Sequence, residues 1–396
     1  MHMIKKKFIK VIALCMLPMM LTGCWDSTEV NSRSVILELA IDKNTDYKYD
    51  PERLLDGQPV YTISYTIPDF GKLSGTDSLA KDVETNLTSQ SATIATSIAD
   101  IELRSKNSVS FSHVKALFLG EDLLKDPKLF KATLDALSRD MLIARNVPLL
   151  AVNGEASTTT EIENNEQPIL GLYIMDYFNN KERATSFFKK QLVGTYIKEM
   201  EDTGVSTLPV FHVDQTDKEE MKGQIDISGG AVIHNNELVG YLTKEEVRGQ
   251  LLVEGKVRNS PVVVVYEDNL LTYQIKDEKS KIKFKDTPEG PTCLIEMDVK
   301  GSISEYLTES GTNLTKDGTI EEIKTLLAEE IITQVGVGID KSKEMNIDFL
   351  GIGQAMYRKH PKMWAKYKPG WLQETYQNMP ISIGVNVDIQ NTGIEE

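Results

Sequence analysis

The sequence predicts a mixed α/β, or α+β, protein of more than one domain. Strands alternate with helices through the first half, and strands dominate the second half with its helices bunched late. The 373 residues from Cys24 onward are also more than one ordinary hydrophobic core accommodates.

The elements follow in chain order. Leu37, Leu39 and Ile41 alternate with Glu38, Ala40 and Asp42, which predicts a strand over Val35–Asp42 with its acids on a polar face. After the turn-rich stretch Pro51–Pro59, VYTISYTI (Val60–Ile67) is rich in β-branched and aromatic residues and reads as a second strand. Leu79, Val83, Leu87, Ile94, Ile98 and Ile101 fall at helical spacing and predict one long amphipathic helix. VKALFL (Val114–Leu119) reads as a buried strand. Asp126 caps a helix with Pro127 in its first turn and Leu129, Phe130, Leu134 and Leu137 on one face. Val147–Val152 is a further strand, and a helix from about Ala184 to Met200 presents Phe188, Leu192, Tyr196 and Met200 before Gly204.

In the second half, residues 223–243 read as two strands joined across Asn235-Asn236, side chains that tolerate the positive φ of a tight hairpin. Pro261–Val299 supplies three more strands. Thr319-Ile320-Glu321-Glu322 has the spacing of a capping box, opening a helix with Ile323, Leu327, Ile331 and Val335 as its buried stripe. A helix through Phe349, Ile352 and Met356 follows, and strict alternation from Ile381 to Ile389 closes the chain with a strand. The polar, glycine-containing stretch 201–222 is expected to be a linker between an N-terminal α/β domain, 24–200, and a C-terminal region, 223–396, divisible at 260/261.

The residues before Cys24 form a leader. Lys5, Lys6, Lys7 and Lys10 precede the apolar run Val11–Leu21, which as a helix would be about 17 Å long, against roughly 30 Å of hydrocarbon. It is too short to span, and residues 1–23 read as a signal peptide. Leu21-Thr22-Gly23-Cys24 then matches a lipobox: a branched aliphatic, two small residues and a cysteine whose thiolate sulfur takes a diacylglyceryl group. Two acyl chains anchor a protein stably without any spanning segment.

Composition narrows the function. Net charge is −15, and without the four leader lysines the chain from Cys24 carries −19. That acidity argues against a nucleic-acid partner. Of three cysteines, Cys15 leaves with the leader and Cys24 is lipidated, so Cys293 remains without a disulfide partner. His113, His212, His234 and His360 are scattered without ligand spacing, so no metal site or cofactor is expected. Ser186-Phe187-Phe188-Lys189 fits S-x-x-K, but no S-D-N or K-T-G accompanies it. Gly351-Ile352-Gly353 begins like a dinucleotide loop but carries Met356 where a third small residue belongs, and reads as a close helix contact. No catalytic site is expected.

The opening LTGCWD, the block FSHVKALFLGEDLL followed by SRDMLIAR, the segment GGAVIHNNELVGYLTKEEVRGQLLVEGKV, and DFLGIGQAMYRKHPKMW with PISIGVNVDIQNTG together resemble the Ger(x)C, or GerAC, spore-germination lipoproteins. The resemblance implies a lipid-anchored subunit of a germinant receptor on the outer face of the spore inner membrane. It also implies partnership with two integral-membrane subunits, of A and B type, and a mixed α/β body. At VILELAID the chain departs from the glycine-rich run usual in the family, and at Ser27-Thr28 from its basic residues. The alternative reading is a solute-binding lipoprotein of a transporter, which requires two similar α/β lobes around a cleft.

One further candidate is YRKHPKMWAKYKPGW, Tyr357–Trp371, where Arg358, Lys359, Lys362, Lys366 and Lys368 interleave with aromatics and no acid lies between Asp348 and Glu374. It is either a docking patch for anionic headgroups or an acidic partner, or a segment whose aromatics are core and whose lysines are solvated or neutralise neighbouring acids.

Overall fold

The computed structural model describes residues 33–46, 60–69, 72, 83–139, 143–162, 167–180, 186–213, 225–306 and 318–391. The leader and Cys24 lie outside them. The first half comprises β1 (Arg33–Val35), β2 (Glu38–Lys43), β3 (Tyr61–Pro68), β4 (Glu84–Ser91), α1 (Ile94–Arg104), β5 (Ser108–Ser110), β6 (Ala116–Gly120), α2 (Glu121–Leu124), α3 (Pro127–Arg139), β7 (Leu149–Val152), a 3-10 helix (Ala156–Glu161), α4 (Leu170–Asn179), α5 (Val193–Thr203) and β8 (Val205–Val213). The second comprises β9 (Ile225–His234), β10 (Glu237–Leu242), α6 (Lys244–Glu254), β11 (Ser260–Tyr266), β12 (Asn269–Thr287), β13 (Gly290–Tyr306), α7 (Thr319–Glu344), α8 (Ile352–Lys359), α9 (Pro361–Tyr367), α10 (Tyr376–Asn378) and β14 (Ile381–Asn391).

An eight-stranded mixed sheet runs β10-β9-β8-β7-β6-β2-β3-β4, parallel from β2 through β6 and β7 to β8 and antiparallel elsewhere. Its centre is buried on both faces. On one side Leu39, Ile41, Leu117 and Leu119 meet Phe130 and Tyr196 of α3 and α5; on the other Ala40, Ala116 and Phe118 meet Phe211 and the helix α4. A four-stranded sheet, β11-β12-β13-β14, packs one face on α7 through Ile323, Leu327, Ile331 and Val335, the stripe that the helical spacing predicts.

Several expectations change. Of the helix expected from Leu79 to Ile101, Leu79 lies outside the described residues, and among those described the helix begins at Ile94, with Thr93 as its cap; residues 84–91 form β4, whose register with β3 supplies the backbone bonds that a helix would have kept internal. The helix expected from Ala184 begins at Val193. Residues 186–192 are instead bends and irregular chain ending in a bridge from Leu192 to Pro148, with the Leu149 amide on the Gln191 carbonyl and the Val193 amide on the Val147 carbonyl. Thr319 lies inside α7, behind Gly318, with no capping box; Thr243 and Glu246 form one at the start of α6, a helix that the elements above do not include, and Thr93 and Thr96 form another at the start of α1. Helix α4 lies outside the predicted elements as well, because its apolar residues are too dense to show a 3.6 period.

The linker expected over 201–222 is in part sheet: Val205–Val213 is β8, between β7 and β9. The hairpin β9–β10, expected in the C-terminal region, extends the same sheet, with Ala231 and Ile233 in one core and Val232 in the other. Backbone pairing, invisible in a stretch of mixed polarity, carries the N-terminal sheet across that boundary.

Candidate functional site

Strand β2 shows how this fold uses charge. Glu38 and Asp42, expected on a polar face, are buried. Glu38 Oε1 accepts the Gly171 amide at 2.7 Å, at the N-terminus of α4, whose own flanking residue gives no side-chain cap. Asp42 accepts the amides of Ala156 and Ser157, at 2.6 and 2.8 Å, opening the 3-10 helix. Asp348 does the same for Ile352 and Gly353 of α8, at 2.9 and 2.6 Å. Each carboxyl oxygen meets the positive end of a helix. The signal in the sequence was there, acids at otherwise apolar strand positions, but the capped helices lie up to 133 residues away.

The S-x-x-K pair is divided between two networks. Ser186 Oγ lies 2.6 Å from Ser260 Oγ, which also receives Arg248. Lys189, almost wholly buried, meets Glu199 at 2.9 Å and Glu254 at 3.2 Å, and Glu254 also takes Lys256. Gln191 and Ser206 donate to the second oxygen of Glu199. Burial opposes the Lys189 charge, but the two carboxylates outweigh it and hold the ammonium above its ordinary pKa. A doubly paired ammonium has no lone pair with which to activate a serine. Because Glu199 and Glu254 belong to α5 and α6, this cluster joins the two halves beside a groove of about 310 Å³ bordered by Lys198, Asp202, Gln354 and Arg358.

Gly353 is pressed against Trp371, where a Cβ would approach the indole Nε1 to 2.7 Å. Gly351-Ile352-Gly353 is thus a helix start and a packing contact. The larger cavity, about 710 Å³, opens between Val60, Tyr61, Ile94, Leu129 and Ala136, with the Lys43–Asp126 ion pair at 2.9 Å among its lining residues. Cys293 is buried, and burial pushes its thiol up to about 12. Among the described residues no group of histidine, cysteine and acid side chains is placed to hold a metal ion, and no helix is long and apolar enough to cross a membrane.

The basic segment forms α8 and α9. Its aromatics divide: Trp371 is buried, with Trp364 edge-on at 5.2 Å and Tyr376 at 5.8 Å, whereas Tyr357 is 58% exposed. Arg358 reaches Asp202 of α5 at 3.3 Å, Lys359 the Ile282 carbonyl at 3.0 Å, and Lys366 Asp286 at 3.0 Å. The Tyr367 hydroxyl donates to Asp286 at 2.5 Å; with Lys366 it holds that carboxyl below its usual range. Lys362 and Lys368 are exposed. The segment thus clasps the end of the β12–β13 hairpin and reaches across to the N-terminal half.

These features define an α+β protein of two joined bodies, held by buried ion pairs and helix-capping carboxylates. The family model for the spore germination protein N-terminal domain matches residues 26–213, and that for the C-terminal region, described as spore germination B3/GerAC like, matches 228–393. The chain belongs to the GerAC family of spore germination proteins. It is 23% identical to spore germination protein B3 of Bacillus subtilis (strain 168), over 98% of this chain and 96% of that one, and 21% identical to spore germination protein KC of the same organism, over 99% and 97%. The crystal structure of the GerBC protein shares its fold, with a TM-score of 0.57 at 19% identity over 89% of this chain and 97% of that one.

Proposed function

We propose that this chain is a lipid-anchored, non-catalytic subunit of a spore germinant receptor. It is tethered to the outer face of the spore inner membrane through Cys24 and works beside integral-membrane A-type and B-type subunits. The observation that carries the reading is the succession of both family domains along nearly the whole chain, in a fold shared with GerBC. The relatives' names place them in spore germination. The lipobox Leu21-Thr22-Gly23-Cys24 supplies the anchor in this reading, and only eight residues lie between Cys24 and Arg33 of β1, so the body starts within about 30 Å of the headgroups. The two large sheets, one of eight strands and one of four, are unlike each other, which supports a receptor subunit over a two-lobed solute-binding protein.

Cys24→Ala tests the anchor. The variant is expected to incorporate no labelled palmitate and to retain its leader; labelled fatty acid on the variant overturns the assignment. The receptor role is tested by purifying the wild-type chain from spore membranes, where A-type and B-type subunits are expected with it.

A further inference from the structure

From Lys279 to Lys285 the sequence of β12 reads KSKIKFK, every second residue a lysine. Strand side chains alternate between faces, so the phase of the strand decides where all four point. A β-bulge between Ile275 and Asp277 sets that phase. Before it Leu271, Tyr273 and Ile275 are buried; after it Glu278 and Phe284 are buried while Lys279, Lys281, Lys283 and Lys285 are exposed. With the phase unshifted, the lysines would face the core. Alternate residues lie about 6.7 Å apart, so the row is about 20 Å long.

Across the ladder the acids are Glu296, which takes Lys283 at 2.5 Å, and Asp298, which accepts from Asn386 at 3.2 Å. Beyond Ile275 strand β12 has lost its partner β11, and α8 and α9 close on this part of it through Lys359, Lys366 and the contact of His360 with Phe284. Lys362 sits one helical turn before Lys366, and Lys368 follows it. Two basic runs far apart in sequence thus share one end of the sheet.

We propose that this end of the sheet docks on anionic phospholipid headgroups, with the β12 lysine row against the phosphates and Lys362 and Lys368 beside it; this rests on the proposed lipid anchor at Cys24, which fixes the membrane concerned. Residue type selects lipid over an acidic protein. The row is all lysine, which is depleted in protein interfaces where arginine is enriched, and flexible point charges suit a diffuse layer of headgroups. The acidity of the whole chain does not oppose docking, because charges more than about 8 Å away are screened at physiological salt. Lysines also keep a free strand edge from pairing with other chains. Glutamates would guard the edge equally, so charge reversal separates the two roles.

The test uses the lipidated chain in vesicles of phosphatidylcholine, with or without roughly one-third phosphatidylglycerol. Ser382, exposed on β14 and in register with Leu294, which pairs with Lys283, is changed to cysteine and labelled with a fluorophore quenched by headgroup-borne acceptors. Flotation with neutral vesicles reads the tether, and quenching reads the docking. Quenching is expected in anionic vesicles only, is lost at about 1 M salt, and falls more than tenfold in Lys279→Glu/Lys281→Glu/Lys285→Glu, each lysine being worth about fivefold in the docked-to-free ratio. A label equally distant in both vesicles, or quenching untouched by the reversal, overturns the proposal. So does an unquenched label in the vesicles together with loss of the A-type or B-type subunits when the charge-reversed chain is purified from spore membranes, which makes the surface a protein interface. Failure to float with neutral vesicles sinks the tether instead, and the anionic-vesicle arm still reads docking.

Discussion

Glu38 is a carboxyl deep in the sheet, and burial, outweighing the Gly171 amide, pushes it from about 4.5 up to about 8. Between those values the folded state holds a proton that the unfolded state releases, so this group makes stability fall as pH rises from about 4.5 to about 8, by on the order of a few kcal/mol. Glu38→Gln keeps an acceptor for the amide and has no charge to develop. Urea denaturation at pH 5 and pH 8 should show a smaller loss in the variant than in the wild type; equal losses would place the pH dependence elsewhere, Glu278 being the other carboxyl pushed up to about 8. The hairpin offers a second residue-scale test. Asn235 and Asn236 have φ of 52° and 63°, as a type I′ turn requires, and Tyr196 donates to Asn236 at 3.3 Å. Asn235→Gly should leave the melting temperature unchanged. Asn236→Gly should cost about 1 kcal/mol for the lost hydrogen bond, and Asn236→Val about 1–2 kcal/mol more for the strained backbone.

At the scale of elements, α6 and α7 cross at Gly249 and Gly338, where a Cβ on Gly249 would come within 2.7 Å of the Gly338 amide and one on Gly338 within 2.9 Å of the Gly249 carbonyl carbon. Neighbouring Gly336 has nothing within 4 Å. Alanine is the better helix former by about 1 kcal/mol, so Gly336→Ala should stabilise the protein by up to about that amount. Gly338→Ala gains the same propensity but must push backbones apart, and should destabilise by about 1–3 kcal/mol net. Thermal melts of the two variants that moved in the same direction would show that the helices are not in contact there.

For the whole molecule, the Lys189 cluster and the Arg358–Asp202 pair tie the halves together. Lys189→Met leaves Glu199 and Glu254 with fewer counter-charges inside the junction and should cost about 3–5 kcal/mol. The loss should appear as unfolding of the two halves at separate denaturant concentrations, followed in a Trp25→Phe background by the fluorescence of Trp364 and Trp371, which then reports on the C-terminal half alone, and by far-UV circular dichroism, which reports on the whole chain. A single transition at the wild-type midpoint would show the cluster to be dispensable.

By itself the sequence determined the class of fold, the family, the β9–β10 turn, the cap at Asp126, the stripe of α7 and the strand β14, because each is written in neighbouring residues. What only the tertiary structure decided depends on pairs distant in the chain. It made β8 a strand where a linker was expected, ended a helix pattern in favour of β4, and turned Glu38 and Asp42 inward to cap helices more than a hundred residues away. It also tied Arg358, Lys359 and Lys366 to partners as far off as Asp202 and set the lysines of β12 on the open face by one bulge. The physical reason is the same throughout: a local pattern records what a residue prefers, while burial and backbone pairing record which remote surface reaches it.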